Sequence, residues 1–289
     1  MKLAVFAHCA IDTINVEGSK YEQVGGPACY CGITAREFKF DAELHTKFGN
    51  DFPVQYLTDK NITFPNATTN TPTTKFAINI SGADRTLKLE NKCDDIQYDK
   101  VNADCFLVSP ICGEISADTF SKIKADSEFI LTDPQGFLRD VEPQKTITLR
   151  KTDVDLSGID AVKVNYDEGV SLTGTSGDDM MKSLQGRGIK YVIFTDKTNV
   201  SMLVKDKIYS ITLPNKEIYD TTGIGDIFCA TFCCTMLKER DFLWALCFAG
   251  GAAQAALNSK QVGLQKIPRK GEVETNASYF YNLVKFRTI

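Results

Sequence analysis

Short apolar runs alternate along the chain with longer stretches in which apolar positions recur every three or four residues. The runs at residues 2–9, 42–49, 104–109, 128–132, 160–164 and 191–195 have the length of strands covered on both faces. Residues 27–38, 52–60, 114–125 and 178–185 carry the helical period. Strand then helix, repeated, predicts an α/β fold. Two places break the rhythm. Residues 13–24 alternate weakly around Glu17 Gly18 Ser19 Lys20, and 75–80 and 85–89 are joined by Ser81 Gly82 Ala83 Asp84, so both read as hairpins. With no helix between them, 13–24 and roughly 65–95 are assigned to a small β lid over the body. Residues 227–237 and 241–258 are apolar all round, which predicts buried helices, whereas 272–286 reads as a closing amphipathic helix.

Between an alternating run at 207–214 and the first of those buried helices lies Asp220 Thr221 Thr222 Gly223 Ile224 Gly225 Asp226. A loop in that place opens onto the unpaired NH groups of a helix start. Gly223 and Gly225 let backbone approach a ligand, the helix dipole favours negative charge, and a carboxylate at Asp226 is stabilised in the first turn. One oxyanion pocket beside one carboxylate suits phosphoryl transfer, with Asp226 taking the proton of an attacking hydroxyl. The same seven residues also fit a plain glycine-containing turn before an acidic helix start. No GxxxxGK[ST] occurs, and Gly223 Ile224 Gly225 lacks the third glycine of a dinucleotide fingerprint.

A chain of 289 residues is long enough for one large α/β domain or two small ones, and a single domain over 1–289 with the lid as an excursion fits the rhythm best. Net charge is −4 with Lys and Arg scattered, so the composition favours neither nucleic acid nor an anionic membrane as partner. The expected partner is a small molecule. No apolar segment is long enough to span a bilayer and Met1 Lys2 Leu3 runs straight into a strand pattern, which makes a cytoplasmic location the expectation. The 10 cysteines lie mostly inside apolar runs and form no CxxC pair, so they read as buried reduced thiols. With His8 and His45 the only histidines, catalysis must lean on carboxylates.

Further candidates stand where strands end. Asp12 follows the first run, at the edge where α/β sheets bind ligands, and its two oxygens can accept from adjacent hydroxyls of a polyol; a solvated turn aspartate fits as well. Gly25 Gly26 precede Pro27, a good first residue of a helix, so they allow close ligand approach or only a tight turn. Asp133 Pro134 Gln135 Gly136 Phe137 Leu138 Arg139 brings acid, amide and guanidinium to the same edge, or forms a plain loop. Asn165 and Glu168 share one face of a helix start, where they can hold a water or Mg2+ beside phosphate or form a capping arrangement.

The loop resembles the DTTGAGD signature of the ribokinase-like (PfkB type) carbohydrate kinases, with Ile224 in place of Ala. An NxxE upstream of a Gly-Asp loop is also that family's order. The family usually has Asn four residues after its second glycine, where this chain has Tyr30; GGPxxY and DPQGFLR look more like the myo-inositol kinase-like branch. The resemblance implies a three-layer αβα sandwich with a mostly parallel sheet and a β lid, and ATP-dependent phosphorylation of a small sugar or polyol. In it Asp226 is the base and Gly223, Ile224 and Gly225 form the anion hole. Asp12, Gly25, Gly26, Tyr30, Gln135 and Arg139 face the acceptor; Asn165, Glu168, Thr195, Lys197 and Asn258 face the nucleotide, and Glu168 holds Mg2+ through water. A homodimer through the lid is compatible with it. The family's nucleotide segment TLGxxG is here Thr195 Asp196 Lys197 Thr198 Asn199 Val200, without either glycine, which opens the question of the donor. Ribokinase, fructokinase or nucleoside kinase activity, or a non-catalytic sugar-binding relative, are the alternatives.

Overall fold

Leu3 and Val5 enter one hydrophobic core and Ala4 and Phe6 another, and the strand Cys105–Val108 divides its side chains in the same way. A strand buried on both faces has to lie in a sheet sandwiched between helices. The computed structural model describes residues 1–16, 19–81, 84–152, 154–214 and 220–289. Its main sheet has nine strands, in the order Lys285–Thr288, Lys207–Thr212, Asn199–Val204, Tyr191–Asp196, Ala161–Asn165, Ile130–Thr132, Cys105–Val108, Lys2–Phe6, Asp41–His45. The six from Tyr191–Asp196 to Asp41–His45 pair in parallel and the other three antiparallel.

The helices Pro27–Glu37, Ile224–Glu239, Phe242–Asn258 and Lys270–Leu283 cover one face, inserting for example Cys29, Phe232, Ala249 and Phe280. Ala117–Asp126, Tyr166–Thr173 and Gly177–Gln185 cover the other with Phe120, Leu172 and Met180. This is the ribokinase-like three-layer arrangement. All 10 cysteines are buried free thiols, as their apolar settings imply. No described helix is long and apolar enough to cross a membrane.

A second sheet of four strands, in the order Ser19–Gly25, Ala10–Val16, Lys75–Ser81, Asp84–Asn91, forms the lid. Ile14, Phe76, Ile78 and Leu89 pack beneath it against Ile111 and Cys112 of the body. The lid is narrower than 65–95: Thr68–Thr69 pairs with Phe48–Gly49 instead of joining it. Residues 17, 18, 82 and 83 of the two expected turns lie outside the described residues.

Several elements depart from the sequence pattern. The closing helix stops at Leu283; Val284 leaves it at ψ 131°, and Lys285–Thr288 becomes an edge strand paired with Lys207–Thr212. That strand is exposed throughout, so it has no buried face for a pattern to reveal. Residues 52–60 yield only the one-turn helix Gln55–Thr58, and Asp133 to Arg139 holds a similar turn, Gln135–Leu138, leading into the unanticipated hairpin Arg139–Val141 with Ile147–Leu149.

Candidate active site

Three parallel strands deliver polar side chains to one edge of the sheet. Ser109 and Asp133 follow the ends of Cys105–Val108 and Ile130–Thr132, while Lys163 and Asn165 belong to Ala161–Asn165. Chain order reverses around Lys2–Phe6, whose neighbours are Asp41–His45 and Cys105–Val108, so this edge is also a topological switch point.

The helix Ile224–Glu239 starts over the same edge. Its N-cap, Gly223, has φ 75°, a left-handed turn that glycine adopts without strain. The helix start leaves first-turn NH groups unpaired toward any anion there. Asp226 lies in that turn, 8% exposed, and Ser109 Oγ donates to its Oδ1 at 3.4 Å. Burial and then the neighbouring Asp133 push its pKa up to about 7, against the pull of Lys163, Ser109 and Arg139. A carboxylate poised there exchanges a proton readily near neutrality.

Lys163 is the charge that the motifs did not reveal. Its Nζ lies 2.9 Å from Asp133 Oδ2, and a Cβ on Gly225 would come within 3.1 Å of it. A side chain at position 225 would therefore crowd the ammonium. Burial alone would lower the ammonium's pKa, but Asp133 and Glu168 outweigh it and the net direction is up, so the group is cationic. Glu168, in turn, is raised by burial and Asp133 and lowered by Lys163, with a net rise.

Two cavities meet at Lys163, Asn165, Thr221 and Gly225. The first, of about 230 Å³, lies under the lid: Asp12, Asp133, Gln135, Arg139 and Asp226 supply polar groups, and Phe76, Ile78 and Leu87 an apolar roof. The second, of about 590 Å³, is an apolar slot between Val200, Leu213, Pro214, Ile224, Phe228, Ala253 and Leu257, rimmed by Thr195, Lys197, Gln254 and Asn258.

The sequence-derived candidates divide between these cavities. Asp12, Gly26, Tyr30, Gln135, Arg139, Gly223, Asp226 and Glu168 line the first; Ile224, Thr195, Lys197 and Asn258 line the second, while Asn165 and Gly225 line both. Asp12 does so from the lid strand Ala10–Val16, not from the end of the first strand. Gly25 lines neither and backs Tyr30 and Asp12 instead, so its part is in packing. Tyr30, expected to face the acceptor, borders the first cavity but is 1% exposed. Asn165 and Glu168 do form a capping box, with Asn165 N donating to Glu168 Oε2 at 2.8 Å and Glu168 N to Asn165 Oδ1 at 2.9 Å. Lys197, where the family has glycine, keeps a left-handed backbone at φ 52°, so the hairpin into Asn199–Val204 survives that replacement.

Lys163, Ser109 and Gln254 were missed. Lys163 had a signal, a lysine inside an apolar run, since a charge buried in a strand must be paired. Ser109 and Gln254 had none.

A polar cleft, an apolar slot and a helix N-terminus between them are the parts of a kinase, and the sequence agrees: residues 25–269 match the profile of the pfkB family carbohydrate kinases. The chain belongs to that family. Among solved structures, this pfkB-family member is similar to a pyrophosphate-dependent kinase in the ribokinase family, solved as a sulfate complex, with TM-score 0.82, 19% identity, and 95% of this chain and 99% of that chain covered. A pyrophosphate-dependent kinase of the ribokinase family bound to a pyrophosphate analogue and myo-inositol gives TM-score 0.81 at 19% identity, covering 94% and 99%. Ribokinase from Arabidopsis thaliana with ribose and ATP gives 0.77 at 16%, covering 95% and 98%. A search of curated protein sequences finds no match.

Proposed function

We propose that this carbohydrate kinase transfers the terminal phosphoryl group of ATP to a hydroxyl of a small cyclic polyol, myo-inositol or a close relative. The observation that carries the reading is that Lys163 and Gly225 lie where the polar cleft meets the apolar slot, with Asp226 next to Gly225 in the cleft. The acceptor lies under the lid, its ring CH groups against Phe76, Ile78 and Leu87 and its hydroxyls on Asp12, Gln135 and Arg139. Asp226 takes the proton of the attacking hydroxyl, and the helix start with Lys163 holds the charge that develops on the phosphoryl oxygens. The cleft is smaller than the roughly 300–1,000 Å³ of drug-sized sites, which suits a monosaccharide-sized acceptor.

The apolar slot supports a nucleotide donor, because a purine ring fills such a surface. Gln254 and Asn258 edge it, joined by a bond of 2.8 Å from Gln254 Nε2 to Asn258 Oδ1, and Gln254 Oε1 has no partner among the described residues. The second reading, pyrophosphate as donor, draws on the buried cation Lys163 and on the solved pyrophosphate-dependent relatives. ATP and pyrophosphate supplied separately in a single-turnover assay distinguish the two.

Mg2+ fits the donors present. The capping box uses Glu168 Oε2 and leaves Oε1 for the cleft that Glu168 lines, and Mg2+ is commonly held by one carboxylate, waters and substrate phosphate. When bound it would neutralise phosphate charge. Glu168→Gln is therefore expected to raise the Mg2+ concentration needed for half-maximal rate more than it changes acceptor KM. Superimposable Mg2+ titrations of the two proteins would leave Glu168 as a helix cap alone.

For the acceptor, myo-inositol is expected to exceed ribose, fructose and nucleosides in kcat/KM. Asp12→Ala should abolish that ranking with most of the activity, since a site built to bind a hydroxyl rejects partners that leave its groups unpaired. Ribose or a nucleoside ranking first would overturn the polyol assignment and leave the kinase reading standing.

A further inference from the structure

Tyr30 has little surface to offer the acceptor cleft, and its ring lies instead against the back of the anion loop. A Cβ on Gly223 would fall 2.6 Å from ring carbons on both sides of the ring, and one on Gly25 3.2 Å from Cε2. The phenol oxygen accepts from Nε2 of Gln23 at 3.2 Å, and Gln23 is a buried residue of the lid strand Ser19–Gly25. Gln23 is itself held close: a Cβ on Gly263 would come within 2.9 Å of its Cδ. The short turn Gly263–Lys266 then grips the other end of the loop. Gly263 N donates to Asp220 Oδ2 at 2.9 Å, and Lys266 Nζ lies 2.9 Å from the same oxygen and 6.0 Å from the centre of the Tyr30 ring.

We propose that Tyr30 is a positioning residue for the anion loop: its ring face fixes Gly223 in the left-handed turn. The proposal rests on the kinase reading of the loop. Glycine is the most permissive residue of the backbone, so the geometry that suits Gly223 also lets it leave that geometry. A flat ring pressed on its Cα removes the freedom. The NH groups that follow are then aimed before any anion arrives, and preorganised donors are what stabilise charge in the reaction. Removal of the ring should therefore weaken anion binding and lower kcat while sparing the acceptor. A wall of the acceptor pocket would do the opposite and raise acceptor KM.

The test compares wild type, Tyr30→Phe, Tyr30→Leu and Tyr30→Ala by calorimetric titration with inorganic pyrophosphate and Mg2+, alongside acceptor kinetics. Loss of preorganised donors predicts about tenfold or weaker pyrophosphate affinity in Tyr30→Ala with acceptor KM within about threefold, and Tyr30→Phe, which keeps the ring, within about threefold of wild-type affinity. Tyr30→Leu carries the same comparison as Ala if the larger deletion does not fold. Unchanged affinity in Ala or Leu overturns the proposal, as does a rise in acceptor KM without a loss of anion affinity, or a Phe variant as weak as Ala. Wild type that binds neither pyrophosphate nor ATP overturns the kinase reading, and this proposal with it; a loop that binds anions in every variant overturns the role of Tyr30 alone.

Discussion

Asp226→Asn is expected to bind donor and acceptor much as wild type does and to lose turnover by about 10²- to 10⁴-fold, the usual cost of removing a general base. The amide keeps the shape of the carboxyl and can still accept from Ser109, but it cannot take a proton. The elevated pKa adds a signature in pH. With the carboxyl pushed up to about 7, the ionised base is scarce in acid, so kcat/KM of wild type should climb with pH and level off above neutrality. The asparagine variant should lack that limb. Stability follows the opposite course. Below about pH 4 the carboxyl is protonated in both folded and unfolded chains; as pH rises toward 7 the unfolded chain ionises first, and the fold loses stability. Asp226→Asn is spared this, so its melting temperature should exceed that of wild type at pH 8 and match it near pH 4. Wild-type turnover in the variant would remove Asp226 from the mechanism.

Lys163→Met is expected to be the most damaging single change overall, because it acts on both rate and stability. Deleting one preorganised charge-stabilising donor typically costs about 10²- to 10³-fold in kcat. Deleting one partner of a buried ion pair also destabilises by about 3–5 kcal/mol, since Asp133 is left buried beside Glu168 and Asp226 without its cation. The two effects separate in a double mutant. Lys163→Met with Asp133→Asn should regain much of the stability, measured by denaturant unfolding, and little of the rate. Recovery of the rate in the double mutant would make the lysine a structural counterion and no more.

The helix–strand rhythm was legible because burial on both faces leaves continuous apolar runs, and the lid was legible because its hairpins interrupt that rhythm. The final strand was not: Lys285–Thr288 is exposed, and an exposed edge carries no pattern. Asp226, Gly223 and Gly225 were legible because seven adjacent residues carried their chemistry together. Ser109 was not, and Lys163 left only the mark of a lysine inside an apolar run, since each reaches the site from a different strand and the sheet brings both within range of Asp226. Tyr30 was seen for its residue type and does border the acceptor cleft, but its contact with the anion loop was not seen. Its proximity to Gly223 spans almost two hundred positions of sequence, and only the packing of Pro27–Glu37 against Ile224–Glu239 brings the two together.

The central claim is that Asp226 and Lys163 stand between a polyol and a nucleotide. Phosphorus NMR of the protein incubated with Mg2+, ATP and myo-inositol tests it most directly, because the spectrum shows donor and product together. The account predicts growth of an inositol phosphomonoester signal in step with ADP, both slowed about a hundredfold or more with Asp226→Asn. A folded wild-type protein that forms no phosphomonoester from ATP with myo-inositol, ribose, fructose or a nucleoside would contradict it.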